Sequence, residues 1–246
     1  NIKAAVCIKK TIMDNSQQVL PVFTSNDDAY FDSFFVTDAQ QMLVASLKQF
    51  VEYKAEDFVY ISGIEGLGKS HLLQAVCHLA DGLQQSNLYL PLDQVKDFDP
   101  QDVLADHQHS RILCLDDVHV IAGNAAWEVA LFDLYNQRIS LKLPLYISAK
   151  KPAAMLDMQL ADLKSRLSAM LSFQMTDLSD AEKSALLHFR ALQRGMELND
   201  SCLMFILQRS SRDINDLMQL LQRLDQSSLV QGRKITVPFI KSVMAW

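Results

Sequence analysis

A parallel α/β fold followed by a small all-helical unit is what this sequence predicts, and three observations carry the expectation. Four short apolar runs alternate with stretches of helical period up to about residue 176. A G-x-x-x-x-G-K-[ST] motif stands between the first run and the helix after it. Beyond residue 176 the period is helical throughout. Strands that alternate with helices pair in parallel, and a parallel sheet needs cover on both faces.

The elements follow in order. Residues 1–35 hold no regular period, and Phe31, Phe34 and Phe35 are expected to anchor this arm to the body. TDAQQMLVASLKQFVEY (37–53) reads as a helix. Thr37 and Gln40 have capping-box spacing, and Met42, Leu43, Leu47, Phe50 and Val51 fall on one face. FVYIS (58–62) is rich in β-formers and reads as a buried strand. SHLLQAVCHLA (70–80) continues as a helix. NLYLP (87–91), stopped at Pro91, and RILCLDD (111–117) read as the second and third strands. WEVALFDLYNQRI (127–139) is an amphipathic helix opened by Trp127 as a packing anchor, and LPLYIS (143–148) is the fourth strand.

Three helices then follow: SDAEKSALLHFRALQRG (179–195), DSCLMFILQRS (200–210) and DINDLMQLLQRL (213–224). Ser179 and Glu182 form a capping box for the first, and Gly195 stops it. Pro238 opens a last short helix, and KITV (234–237) is the one candidate strand in this region. The change of period divides the chain into an arm at 1–35, an α/β domain at 36–175 and a helical domain at 176–246.

Composition excludes several classes. The 246 residues suffice for one or two domains, and 49% hydrophobic against 21% charged residues describes a globular chain. No apolar run approaches the ~20 residues that span a membrane. A net charge of −6, from 23 Lys plus Arg against 29 Asp plus Glu, suits poorly a protein held on DNA by phosphate contacts, although a local basic patch is compatible with it. Cys7, Cys77, Cys114 and Cys202 form no C-x-x-C pair, so reduced thiols and a cytoplasmic location are expected. NIKAAVCIKK at the start holds three lysines and no signal-peptide apolar run; the chain begins with Asn, and Met13 is a candidate native start. His107 and His109 have only Asp106 beside them and read as a solvated loop, and the ten methionines as core filler.

The chemistry concentrates at two places. Gly63-Ile64-Glu65-Gly66-Leu67-Gly68-Lys69-Ser70 lies between a strand and a helix, as a phosphate loop requires. Three of the chain's seven glycines fall within six positions there. Such glycines let main-chain N–H groups converge on phosphate oxygens, and the following helix adds its positive end. Lys69 can reach the β-phosphate, and the γ-phosphate where present, while the Ser70 hydroxyl can ligate Mg2+. The second place is Asp116-Asp117, which closes an apolar strand. Asp116 is expected to hold Mg2+. Asp117 either positions water or is a solvated turn acid.

GLGKSHLLQAV, CLDDVHVIAG, WEVALFDLYNQ and LKSRLS together resemble the DnaA-related AAA+ family, and within it the shorter Hda branch; the likeness runs over most of residues 17–245. It implies a P-loop AAA+ α/β domain with a C-terminal helical lid. It implies a nucleotide, ADP or ATP with Mg2+, between the two, held by Gly63, Gly66, Leu67, Gly68, Lys69, Ser70 and His71, with the base near Phe35 and Val36. The family's C-terminal DNA-reading domain would be lacking, since the chain stops at Trp246 after the lid. Hda-like proteins carry a sliding-clamp-binding peptide resembling Q-L-x-L-P, and Gln17-Gln18-Val19-Leu20-Pro21, followed by Val22 and Phe23, is its counterpart, with Gln18 in place of a leucine.

Arg166 in LKSRLS matches the family's arginine finger. A guanidinium supplied in trans stabilises charge on a γ-phosphate and is worth roughly 10³–10⁵ in rate. Without the family likeness, Arg166 reads as a surface residue paired with Asp162. Two positions depart from the family pattern: Lys150 stands where an aspartate is usual after the fourth strand, and Asn215 where the lid arginine is expected, with Arg212 one turn earlier as a substitute. Both suit weak hydrolysis by this chain. The resemblance therefore implies a regulator that docks on the polymerase sliding clamp and promotes hydrolysis of DnaA-bound ATP, through AAA+-type contacts with DnaA or within a homo-oligomer. A motor or helicase-loader ATPase and a passive clamp-to-DnaA adaptor remain as alternatives.

Overall fold

The computed structural model describes residues 28–104 and 110–246. The 17–23 peptide, Cys7, Met13, His107 and His109 lie outside the described residues. The chain forms two compact units. Apart from the residues just excluded, the first takes residues up to 34, then 38–64 and 68–175, and the second takes 35–37, 65–67 and 176–246.

The first unit is a five-stranded sheet, β1 (Phe58–Ser62), β2 (Asn87–Pro91), β3 (Ile112–Asp116), β4 (Leu145–Ala149) and β5 (Leu171–Gln174). Its helices are α1 (Gln41–Glu52), α2 (Lys69–Gly82), α3 (Leu92–Val95), α4 (Pro100–Leu104), α5 (Ala125–Ser140) and α6 (Ala161–Ser168). The strand order is β2-β3-β4-β1-β5, and every pairing is parallel. β3 and β4 are buried along their whole length, which is why both read as unbroken apolar runs rather than alternating ones. Chain order reverses beside β1, so the carboxyl ends of β1, β3 and β4 open on one edge, where open α/β sheets bind ligands. Register sets Ser62 level with Ala149 and Pro91 level with Asp116.

The structure departs from the sequence-based expectations at several points. The first helix starts later than its sequence suggests: Asp38–Gln40 make a 3-10 turn, and α1 proper begins at Gln41 with Gln40 as an N-cap that makes no side-chain cap bond. Met42 is 74% exposed, because the buried stripe of α1 is Leu43, Val44, Leu47 and Val51, and at ~3.6 residues per turn Met42 points away from it. β5 was not expected; it is a four-residue edge strand that pairs with Val59–Ser62 and is largely exposed, so it lacks an apolar run. Phe31 and Phe34 are buried in the first unit, whereas Phe35 belongs to the second and meets Phe189 in a tilted ring pair at 5.7 Å.

The second unit holds α7 (Asp180–Gln193), α8 (Asp200–Arg209), α9 (Ile214–Gln231) and α10 (Val237–Met244). Ser179 and Glu182 form the expected capping box, and Gly195 follows the C-cap Arg194 with φ +69°. Asn199, Asp213 and Thr236 cap the next three helices through their side chains. KITV is not a strand: Ile235 fills the helical core, Thr236 accepts from the Phe239 N–H, and Pro238 lies in the first turn of α10. The core of this unit is built on Leu187, Leu203, Ile206, Leu217, Leu221, Leu224 and Phe239.

One fully buried carboxylate joins α5 to α6. Glu128 accepts from the Gly123 N–H at 2.7 Å, the Gln159 N–H at 3.1 Å and the Leu160 N–H at 2.6 Å, so it fixes the turn that launches α6. Trp127 beside it is buried and donates to the Lys96 carbonyl. Glu128→Ala would leave three main-chain donors without their acceptor, at ~1–3 kcal/mol for each buried one. We expect a loss of about 3 kcal/mol or more, read as a lower denaturant midpoint at unchanged slope.

Candidate nucleotide site

The loop after β1 supplies the first part of the site. Gly66 and Gly68 have φ of +81° and +89°, a region that side-chain-bearing residues rarely adopt. A Cβ at Gly68 would stand 2.6 Å from the Phe34 ring, so the arm closes over the loop with no room for one. The Lys69 side chain is 5% exposed and turns back on its own loop, donating at 2.8 Å to the Gly63 and Ile64 carbonyls. A buried ammonium is thus held by main-chain oxygens beside the N-terminus of α2. His71, one residue past Ser70, bonds the Tyr30 carbonyl at 2.8 Å and faces Phe34, which ties the arm to α2.

The second part is the end of β3. Asp116 is 3% exposed and has both carboxylate oxygens engaged. The Tyr89 hydroxyl donates to Oδ2 at 2.6 Å and the Ser148 hydroxyl donates to Oδ1. The Ser148 oxygen in turn accepts from the Asp117 N–H at 2.9 Å. Burial, and after it the Asp116 carboxylate, pushes the Tyr89 phenol far above its usual range, so this hydroxyl keeps its proton and donates. Ser70, Lys69, Asp116 and Asp117 all belong to the first unit, on its carboxyl edge. Hard oxygen donors of this kind suit Mg2+ rather than a soft metal. Among the described residues no group of three or more His, Cys, Asp or Glu gathers as a metal site. Cys77, Cys114 and Cys202 are free and buried.

Sequence reasoning did not find Tyr89 or Ser148. Tyr89 lies in the middle of β2 and Ser148 near the end of β4, and only the order β2-β3-β4 brings their hydroxyls onto Asp116. The one local signal was Ser148, a polar residue closing an apolar run.

The other expected residues fall as follows. Arg166, on α6, is partly exposed, with its guanidinium 5.1 Å from the Phe132 ring centre and 5.6 Å from that of Tyr135, both on α5. It makes no ion pair with Asp162 or with any other carboxylate among the described residues. Gly66, Leu67, Phe35, Val36, Arg212 and Asn215 belong to the second unit. There, a Cβ on Gly66 would meet Ile214 Cβ at 3.1 Å and Asn215 Oδ1 at 3.3 Å, so the start of α9 lies against Gly66. Arg212 pairs at 2.8 Å with Asp180 on the exposed surface of the same unit. Val36 is exposed.

Asp117 sits at φ +59° beside Asp116, with His119 Nδ1 3.6 Å from its Oδ1. Its carboxyl is pushed up to about 6, first by burial and then by the Asp116 charge, against the opposing pull of Lys69. The unfolded chain releases this proton near pH 4 and the folded one near 6. The contribution to stability is therefore full below about pH 4 and is lost as pH rises through 6. Asp117→Asn, a residue that tolerates the left-handed backbone, is expected to raise the Tm of the nucleotide-free protein at pH 7.5. The gain should shrink from pH 6 to 4 and vanish below that, as followed by thermal unfolding.

Comparison with known proteins agrees with this arrangement. The family model for the bacterial DnaA ATPase domain matches residues 25–174, and that for the Hda lid domain matches residues 180–244. Domain III of the Thermotoga maritima replication initiation protein DnaA superposes with a TM-score of 0.78 at 18% identity, over 91% of this chain and 98% of that one. AMPPCP-bound DnaA from Aquifex aeolicus gives 0.71 at 17% identity, over 84% of this chain and 68% of that one. The Thermotoga maritima RuvB Holliday junction branch migration motor gives 0.68 at 18%, over 88% and 71%. At such identities the likeness speaks for the α/β P-loop AAA+ fold, and the two family matches for the lineage. The chain belongs to the DnaA-related AAA+ family and carries an Hda-type lid.

Proposed function

We propose that this chain is an Hda-type negative regulator of replication initiation, which binds a nucleotide and acts on ATP held by a second AAA+ protein. The observation that carries this reading is the union, on one chain, of a DnaA-type ATPase domain with an Hda-type lid. A loop with Lys69 on its carbonyls and a helix N-terminus behind it supports the binding of ADP or ATP phosphates. AMPPCP in a DnaA relative of the same fold supports an adenine nucleotide. Ser70 and Asp116 would hold Mg2+, whose chemistry is to neutralise phosphate charge. Phe35 and Val36 would border the base, with Gly63, Gly66, Leu67, Gly68 and His71 around the phosphates.

Arg166 is the group offered in trans. Its guanidinium is held over two rings without a carboxylate partner, which leaves its N–H donors for a γ-phosphate on DnaA. The chain's own turnover is weak in this reading, since Lys150 and Asn215 stand at polar positions the family fills otherwise and Arg212 is engaged by Asp180. Gln17, Leu20, Pro21 and Phe23 dock on the sliding clamp by seating apolar side chains in a groove.

Chromatography of the nucleotide that co-purifies with the chain tests the first step: ADP or ATP is expected, and Lys69→Ala should lose it. Arg166→Ala should lower stimulated hydrolysis of DnaA-bound ATP by about 10³-fold at unchanged Tm. A passive adaptor would keep its activity, and brisk turnover without partners would favour a motor. Alanine at Gln17, Leu20 and Pro21 should abolish retention on immobilised clamp; undiminished retention would refute that assignment.

A further inference from the structure

The hydroxyl of Tyr89 stands among the groups assigned to the cation, and no part of the phosphate-loop argument calls for it. Its ring extends from the middle of β2 to a carboxylate on the adjacent strand, two register positions further along. The hydroxyl donates to Asp116 Oδ2 at 2.6 Å. Ser70, Gln74, Tyr89, Asp116 and Ser148 all lie in the first unit.

Proton counting gives these contacts a direction. An ionised carboxylate only accepts, so the single Tyr89 proton goes to Asp116. Ser148 gives its one proton to the other oxygen of Asp116 while accepting from the Asp117 N–H, so the carboxylate plane is fixed from two sides. A metal-binding carboxylate steered by outer hydrogen bonds typically loses about 10–100-fold in metal affinity when such a partner is removed.

We propose that Tyr89 is a positioning residue for the divalent cation that accompanies the bound nucleotide: its hydroxyl, with that of Ser148 on the other side, orients the Asp116 carboxylate toward the metal. The inference rests on the nucleotide reading above. It assigns Tyr89 no contact with phosphate, so the tyrosine governs metal affinity and leaves metal-free nucleotide affinity alone.

The test is Tyr89→Phe, which keeps the ring and removes only the hydroxyl. Mg2+ is titrated by calorimetry into the ADP-loaded full chain, and ADP affinity is measured separately in EDTA. Mg2+ affinity is expected to fall by about 10-fold, with ADP affinity in EDTA within about twofold of wild type and an unchanged Tm. Ser70→Ala, which removes a hydroxyl assigned to the cation, is expected to weaken Mg2+ as well. Unchanged Mg2+ affinity in Tyr89→Phe would overturn the proposal. So would an equal loss of ADP affinity in EDTA, which would mark the hydroxyl as merely structural. A wild-type protein that takes up no ADP would instead overturn the nucleotide reading, and this inference with it.

Discussion

A lysine ammonium buried on the carbonyls of its own loop is the interaction from which the rest of the site follows. Lys69 holds Gly63 and Ile64 by their oxygens, so the main chain between β1 and α2 keeps its bend. Removing a cation from water is costly unless charge or dipoles replace the water. Two main-chain oxygens at 2.8 Å do so here, and a polyanion would do so more strongly. The bend also needs positive φ at Gly66 and Gly68, and at Gly68 the Phe34 ring leaves no space for a Cβ. Motif glycine, arm aromatic and buried cation are thus one constraint seen from three sides.

The parallel sheet converts that local bend into a site. Order β2-β3-β4-β1-β5 sets the end of β3 one strand away from the end of β1, with β4 between them. Hydroxyls from β2 and β4 then close on the carboxylate of β3 from either side. A carboxylate almost without solvent exposure, such as Asp116, is tolerated because charge-assisted hydrogen bonds compensate it. Asp117, next in the chain, has its proton held to about pH 6 first by its own burial and then by the neighbouring Asp116 charge.

A similar division of labour runs along α5. Glu128, Phe132 and Tyr135 fall at spacings of four and three, on one face of the helix. All three address α6: the carboxylate secures the main-chain N–H groups of Gln159 and Leu160 just before it, and the rings lie beneath the Arg166 guanidinium. The residues most characteristic of this helix therefore set where a neighbouring arginine stands.

Whatever depends on neighbours within one helical turn or one loop was determined by the sequence alone. The motif 63–70 between β1 and α2, the acidic end of β3, the Ser179–Glu182 box and the Leu217–Leu224 stripe all read correctly because periodicity and capping are local physics. Long-range pairing decided the rest. β5 exists because β1 offers it an edge, not because LSFQ has an apolar run. Phe35 parts from Phe34 because the two rings find different partners, Phe189 for one and the Gly68 and His71 surface for the other. KITV stays irregular because Thr236 and Pro238 are taken up in starting α10. Tyr89 and Ser148 acquire their roles from strand order, since a hydroxyl on one strand gives no hint of which carboxylate the next strand will bring beside it.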